Sequence, residues 1–359
     1  MELFAIRPEI RFGPEALAAL EELAGRRVLI VTDEFLAHKS GLLEGVKARL
    51  KGCEISVFDQ VRPDPSLRLV ARGVHVLRAF GPDAVLAFGG GSPMDCAKAM
   101  RHFAGGDPPP ELWCIPTTAG TGSEVTSFAV LTDADAGVKY PLVDDALLPD
   151  RAVLDPSLLS GVPPAVTADT GMDVLTHAAE GCVARKATPF SDAMGEKAFS
   201  IAWRSLSHAH AGDSAAKGEM LLASCLAGIS FNAAGLGICH ALAHALGGRY
   251  HIPHGRLNAM LLPHVIAFNS ADKAAADEYA RLAGLCGLAK NPRALMGGVR
   301  RLRAGLGMPE KLTACGVEGQ TLLADLDSIA ETALADVCAP GNPRPAARED
   351  LKDILKELM

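Results

Sequence analysis

The chain has no CxxC pair, no basic run, no long apolar stretch and no internal repeat or low-complexity segment. Each absence removes a class of function. The nine cysteines are odd in number and widely spaced, so they read as reduced, buried thiols of a cytoplasmic protein. A net charge of -7 without a polybasic tail argues against a nucleic-acid surface. The longest apolar runs, such as AMLLP, fall far short of a membrane span. The opening MELFAIRPEIRFG carries charge too early for a signal peptide. Neither GxGxxG nor GxxxxGK[ST] occurs, so generic nucleotide motifs give no direct match.

What is present is a compact, apolar composition, 49% hydrophobic and 21% charged. At 359 residues the chain is too long for one ordinary core, and two domains are expected. The first third alternates helix and strand patterns. PEALAALEELAG reads as a helix, RRVLIVTD as a buried strand, GLLEGVKARL as a helix and CEISVFD as a strand. SLRLVARGVHVLRAFG then reads as a helix and DAVLAF as a third strand. That order implies a mostly parallel sheet with helices on both faces. Ligands of such sheets sit beyond the carboxyl ends of the strands.

Beyond DAVLAF lies GGGSPMDCAKAM, residues 89–100. Glycines let the backbone turn and approach a ligand, with Ser92 expected as N-cap, Pro93 as first helical residue and Asp95 three beyond the cap. A helix start beside a glycine loop offers N–H groups and a positive dipole end to a pyrophosphate. The hydroxyl-rich IPTTAGTGSEVTS, residues 115–127, suits phosphate and ribose in the same way, although taken alone it reads as a solvated turn. ADAGVKYPLV follows as a polar hairpin. From about Pro163 the pattern becomes alanine-rich and helical, which sets an α/β domain at 1–162 and an all-helical domain at 163–359.

The densest chemistry is GICHALAHALGGRYHIPHG, residues 237–255, which holds four of the eleven histidines. His240 and His244 share one helix face, Gly247-Gly248 is expected to break the helix, and Pro253 sets the approach to His254. Asp173 and His177 form a second i, i+4 pair in TGMDVLTHAAE. One carboxylate and three imidazoles make a first-row divalent metal site, whereas any one of these histidines alone reads as a packed helix residue.

GGGSPMDCAK, PTTAGTGSEVT, TGMDVLTHAAE and GICHALAHALGGRYHIPHGRLNAMLLPHVIAFN, in this order, resemble the iron-dependent (group III) alcohol dehydrogenases over essentially the whole chain. KYPLV, GGRYHIPHG and ALADVCAPGNPRP most resemble the 1-propanol dehydrogenases of propanediol-utilising bacterial microcompartments, with the ethanol-forming enzymes of ethanolamine use close by. The resemblance implies a dinucleotide-binding domain with the dehydroquinate synthase-like fold, a helical metal domain and a cleft between them. It implies Asp173, His177, His240 and His254 as metal ligands and His244 as a proton donor or relay facing the substrate. His251 is left as a packed or rim residue. For NAD it points to Asp33, Gly90, Gly91, Ser92, Asp95, Thr117, Thr118, Thr121 and Lys139, with Asp64 at the adenosine end. The implied reaction interconverts a short primary alcohol and its aldehyde.

Imidazole and carboxylate suit Zn(II) as well as Fe(II), and only the resemblance favours iron. It also implies a homodimer or larger assembly and a cytoplasmic location, within a microcompartment if the subgroup holds. The competing readings are a zinc-type glycerol or polyol dehydrogenase, a metal-dependent hydrolase, and a microcompartment-associated binding protein that merely carries the fold.

Overall fold

The structure, a computed structural model, describes residues 4–133 and 138–359, with only the backbone described at Val138 and Lys139. The chain divides into two compact units, residues 1–162 and 163–359.

In the first unit the chain runs β1 (Glu9–Phe12), β2 (Arg27–Asp33), α1 (Glu34–His38), α2 (Leu42–Arg49), β3 (Glu54–Val61) and α3 (Leu67–Phe80). It continues through β4 (Ala84–Gly89), α4 (Gly91–Ala104), β5 (Glu111–Pro116), β6 (Phe128–Asp133), β7 (Val138–Val143) and β8 (Arg151–Leu154). Six strands form one parallel sheet in the order β1-β8-β5-β4-β2-β3, and β6 pairs antiparallel with β7 as a separate ribbon. β2 and β4 lie inside the sheet and are apolar almost throughout, as strands covered on both faces must be. On one face Leu29, Val85, Ala87 and Leu112 pack against Leu69, Val74 and Leu77 of α3 and Met94 and Met100 of α4. The Ser66 side chain caps α3 by accepting from Leu69 N, and Gly81 ends it in the left-handed region.

Two local expectations change. PEALAALEELAG forms a 3₁₀ segment, Ala16–Leu23, rather than an α-helix. The helix after the glycine loop begins at Gly91 with Gly90 as N-cap, not at Ser92. Gly89, at φ +150°, turns the chain directly off the strand end, so helical bonding starts earlier, with Met94 N donating to Gly90 O (3.4 Å).

The second unit is helical: α5 (Pro164–Val183), α6 (Pro189–His210), α7 (Ser214–Ala234), α8 (Ile238–Tyr250), α9 (His254–Asn269), α10 (Lys273–Leu285), α11 (Pro292–Gly305), α12 (Gly319–Ala335) and α13 (Arg348–Lys356). Thr188, Asp213, Asp272 and Asn291 cap α6, α7, α10 and α11 through their side chains. α5 is buried along most of its length and packs against α6, α7 and α9. No single described helix is long and apolar enough to cross a membrane. All nine cysteines are unbonded, six of them buried.

Gly247-Gly248 does not break α8, which continues to Tyr250 and ends at His251 in the left-handed region (φ +56°). Glycine inside a helix costs only about 1 kcal/mol relative to alanine. The last turn is held from outside: Arg249 and Tyr250 both donate to Asp325 of α12. The segment before α13 contains a 3₁₀ turn, Ala339–Gly341.

Candidate metal centre and dinucleotide loops

α5 carries Asp173 and His177 on one face, one turn apart, and Glu180 just beyond. α8 supplies His240 and His244, and α9 supplies His254 at its first residue and Asn258 one turn on. These helices bring a carboxylate and two imidazoles to one point. Asp173 Oδ1 lies 3.6 Å from His240 Nε2 and 3.5 Å from His254 Nε2, and ligand atoms of this trio all fall within 4.8 Å of one another. His177 Nδ1 stands 4.0 Å from the other oxygen of Asp173, and its ring stacks on His240 at 4.4 Å and on Phe231 at 4.5 Å. Asp173, His177 and His240 are buried, whereas 32% of the His254 side chain stays exposed, which leaves the cluster open on that side.

The electrostatics favour a cation. Burial pushes the Asp173 carboxyl up, but His177, His254 and His240 together outweigh it and hold Asp173 below the usual carboxylate range. Burial pulls His240 down, but hydrogen bonds and charge from Asp173 and Glu180 win and raise it to about 9. His254 falls well below its ordinary value because burial and the neighbouring imidazoles outweigh Asp173. A buried carboxylate facing imidazole nitrogens, one of them kept neutral, fits a first-row divalent cation, which would displace the proton of His240 on binding.

Three further residues frame the site, and none was singled out from the sequence. Glu180 Oε2 accepts from His240 Nδ1 (2.5 Å), and Oε1 accepts from the Cys239 backbone N–H (2.8 Å). Asn258 Nδ2 is 2.8 Å from Asp173 Oδ1, 3.2 Å from His240 Nε2 and 3.1 Å from His254 Nε2. Asp336, at the end of α12, accepts from His244 Nδ1 at 2.9 Å. The His244 ring stacks on His254 with centroids 5.1 Å apart, and His251 is exposed beyond the end of α8.

In the first unit the glycine loop and the threonine loop lie side by side. Thr117 N donates to Gly89 O (3.0 Å). A Cβ on Gly90 would stand 3.1 Å from Thr118 Oγ1, and one on Gly91 would stand 2.9 Å from Thr121 Cγ2, so a side chain at either position would push the threonine loop away. Gly90, Gly91, Ser92, Thr118 and Thr121 are thus gathered at the carboxyl end of β4, partly exposed, with Thr117 buried beneath them. Asp95 faces inward, accepting from Ser123 Oγ (2.8 Å) and Val130 N (3.1 Å). Lys98, fully buried, donates to Ser123 Oγ and to the carbonyls of Thr126 and Phe128, which ties the second loop to α4. It belongs to the GGGSPMDCAK motif but carries no charge pattern that marks it as buried.

Asp33 ends β2 and caps α1, Oδ1 accepting from Leu36 N (2.9 Å). Beside it a cavity of about 660 Å³ is lined by Glu34, Asp59, Arg62, Asp64 and Arg72 among others. Asp64 is exposed there at φ +56°. Lys139 lies on β7, and its side chain is outside the described residues.

Residues 8–156 match the family model described as iron-containing alcohol dehydrogenase, and residues 167–359 match that of the C-terminal region of the Fe-containing alcohol dehydrogenase family. The chain is 42% identical to the 1-propanol dehydrogenase PduQ of Salmonella typhimurium, covering 100% of both chains. Among solved structures it resembles an iron-containing alcohol dehydrogenase from Thermococcus thioreducens (TM-score 0.93, 32% identity, 98% of each chain). It also resembles a sulfoacetaldehyde reductase from Bifidobacterium kashiwanohense in complex with NAD+ (TM-score 0.89, 28% identity, 100% of this chain and 98% of the other). With family models covering residues 8–156 and 167–359 and a full-length relative 42% identical, the chain belongs to the iron-containing alcohol dehydrogenase family.

Proposed function

We propose that this enzyme is an NAD(H)-dependent alcohol dehydrogenase that reduces a short aliphatic aldehyde, such as propionaldehyde or acetaldehyde, to its primary alcohol. Asp173, His177, His240 and His254 would hold Fe(II). The observation that carries the proposal is the convergence of Asp173 Oδ1 with His240 Nε2 and His254 Nε2 in a family of iron-containing alcohol dehydrogenases. The cation supplies Lewis acidity towards a carbonyl oxygen, and the nicotinamide supplies or accepts the hydride.

The remaining work falls to the chain. Glu180 accepts the hydrogen bond from His240 Nδ1–H and so turns Nε2 towards Asp173. His244 would pass a proton to the nascent alcohol from the nitrogen not held by Asp336. The N–H groups at the start of α4, with Gly90, Gly91, Ser92, Thr117, Thr118 and Thr121, would bind the pyrophosphate, with Asp95 and Lys98 fixing the loops beneath it. Asp33 and Asp64 would meet the adenosine end, and Lys139 would contact the cofactor. The similarity to the Salmonella 1-propanol dehydrogenase favours propionaldehyde as substrate. The subgroup resemblance extends the proposal to a homodimer or larger assembly and a cytoplasmic place within a bacterial microcompartment.

The test is anaerobic NADH oxidation with propionaldehyde, acetaldehyde and dihydroxyacetone, and NAD reduction with glycerol, on protein loaded with Fe(II) or Zn(II). Turnover should be highest with a short aldehyde and Fe(II), and it should fall in air. A preference for glycerol with Zn(II), unaffected by air, would establish a zinc polyol dehydrogenase instead. Failure to bind NADH in a fluorescence titration would favour a metal-dependent hydrolase.

A further inference from the structure

Near the metal cluster, His244, Asp336 and Cys338 form a second group whose donor atoms lie within 4.8 Å of one another. Such a trio suits a cation only if each member offers a lone pair. Here the roles run the other way. Asp336 Oδ2 accepts from His244 Nδ1 (2.9 Å), and Oδ1 accepts from the Cys338 backbone N–H (2.8 Å). Burial, reinforced by Asp336, raises the Cys338 thiol well above its ordinary value, so it stays protonated and donates to the same carboxylate. The group is one acceptor surrounded by donors.

Asp336 also breaks a local rule. It stands at the carboxyl end of α12, where the helix dipole disfavours a negative charge. Its hydrogen bond to Cys338 N is an Asx turn and offsets part of that cost, but asparagine would make the same turn without the charge. The charge is explained by what the other oxygen holds. An ionised carboxylate only accepts, so the proton between the two side chains sits on His244 Nδ1. That leaves Nε2, on the opposite side of the ring, as the nitrogen free to act. The ring plane is set by Asp336 on one edge and by the stacked His254 ring on one face.

We propose that Asp336 is the positioning residue for His244, fixing its tautomer and ring plane so that Nε2, bare in the resting tautomer, is the nitrogen that takes up and passes on a proton in the reaction. This rests on the role given to His244 above. His240 is held by Glu180 through Nδ1 in the same manner, so α8 presents two imidazoles by Nε2, each fixed by a carboxylate from a different helix.

Asp336→Asn is the discriminating variant, because its carbonyl can keep the turn to Cys338 N while its amide offers hydrogens to His244 Nδ1. The tautomer is read directly from the two-bond ¹⁵N–¹H pattern of ¹⁵N-histidine-labelled, metal-free protein, with the His244 signal assigned by its loss in His244→Ala. The parent should show Nδ1–H, and Asp336→Asn should show Nε2–H. In the same variant kcat should fall on the order of 10²-fold or more, the size of a general acid–base contribution, with KM and metal content little changed. A circular dichroism melt confirms that the variant is folded, and Asp336→Glu should recover part of the rate. An Nε2–H tautomer in the parent, an unchanged tautomer in the variant, or two cations per chain on metal analysis would each overturn the proposal. His244→Ala with full turnover, beside a parent Nδ1–H signal, would instead remove His244 from the reaction while leaving its fixing by Asp336 intact.

Discussion

Glu180 and His240 meet at 2.5 Å from helices α5 and α8, and the same carboxylate also takes the N–H of Cys239. One buried side chain therefore caps a helix and orients the ring of His240, a proposed metal ligand. Glu180→Gln should lower cation affinity by roughly 10- to 100-fold, the usual effect of losing a charged partner behind a ligating histidine. The cap should survive in part, because the amide oxygen can still accept from Cys239. Isothermal titration of the metal-free protein checks this, and an affinity equal to the parent's would reduce Glu180 to a cap alone.

His254→Ala should abolish cation retention and turnover. NADH binding, followed by fluorescence, should persist, because the glycine and threonine loops belong to a different folded unit. Full metal occupancy in this variant would strike His254 from the ligand set.

Asp33 separates two roles that one substitution can divide. Its Oδ1 caps α1, while a carboxylate at this strand end repels a 2′-phosphate. Asp33→Gly should relax a preference for NAD over NADP by roughly tenfold, about 1.4 kcal/mol. Asp33→Asn should do the same while keeping the cap and the melting temperature. If both variants discriminate as the parent does, the residue acts as a cap only.

Glu124 links stability to pH. Burial raises its carboxyl to about 7, against the pull of its own backbone N–H and of Lys98. Oε1 has no hydrogen-bond partner among the described residues. An acid whose pKa rises on folding favours the folded state most when protonated. Its contribution is therefore full below about 4.5, its unfolded value, and is lost as the pH rises through about 7. Glu124→Gln should flatten that slope, by roughly 3 kcal/mol at most across the window. Melting temperatures of metal-free parent and variant between pH 4.5 and 8 give the answer, and parallel curves would exclude Glu124 as the source.

The strands β2, β3 and β4 were legible because apolar, β-branched runs bounded by turn residues have few alternatives. The metal cluster was approachable because Asp173/His177 and His240/His244 each sit one turn apart. Other features resisted for a physical reason. Gly247-Gly248 reads as a stop, yet Asp325, on a helix far along the chain, holds the last turn closed through Arg249 and Tyr250. Ser92 reads as a cap, yet the backbone turn at Gly89 starts the helix sooner. Glu180, Asn258 and Asp336 look like ordinary polar residues of amphipathic helices. Helical spacing puts Glu180 on the face of His177 and Asn258 on the face of His254, but what each meets across the helix interface is not written in that spacing.

Gly237 lies where α8 begins, and a Cβ there would stand 2.6 Å from Asn342 Oδ1 and 2.8 Å from Glu180 Oε1. Asn342 accepts from Ile238 N across 104 positions of sequence, and Asp336 meets His244 across 92. Contacts this distant form late, since the entropy of closing a long loop is lost before they contribute. The start of α8, two residues before His240, and the ring of His244 thus settle only when the segment around Asn342 and Asp336 docks. In a refolding experiment, high-affinity cation uptake should therefore trail the appearance of helical signal and coincide with the slowest folding phase, making metal capture a reporter of completed folding.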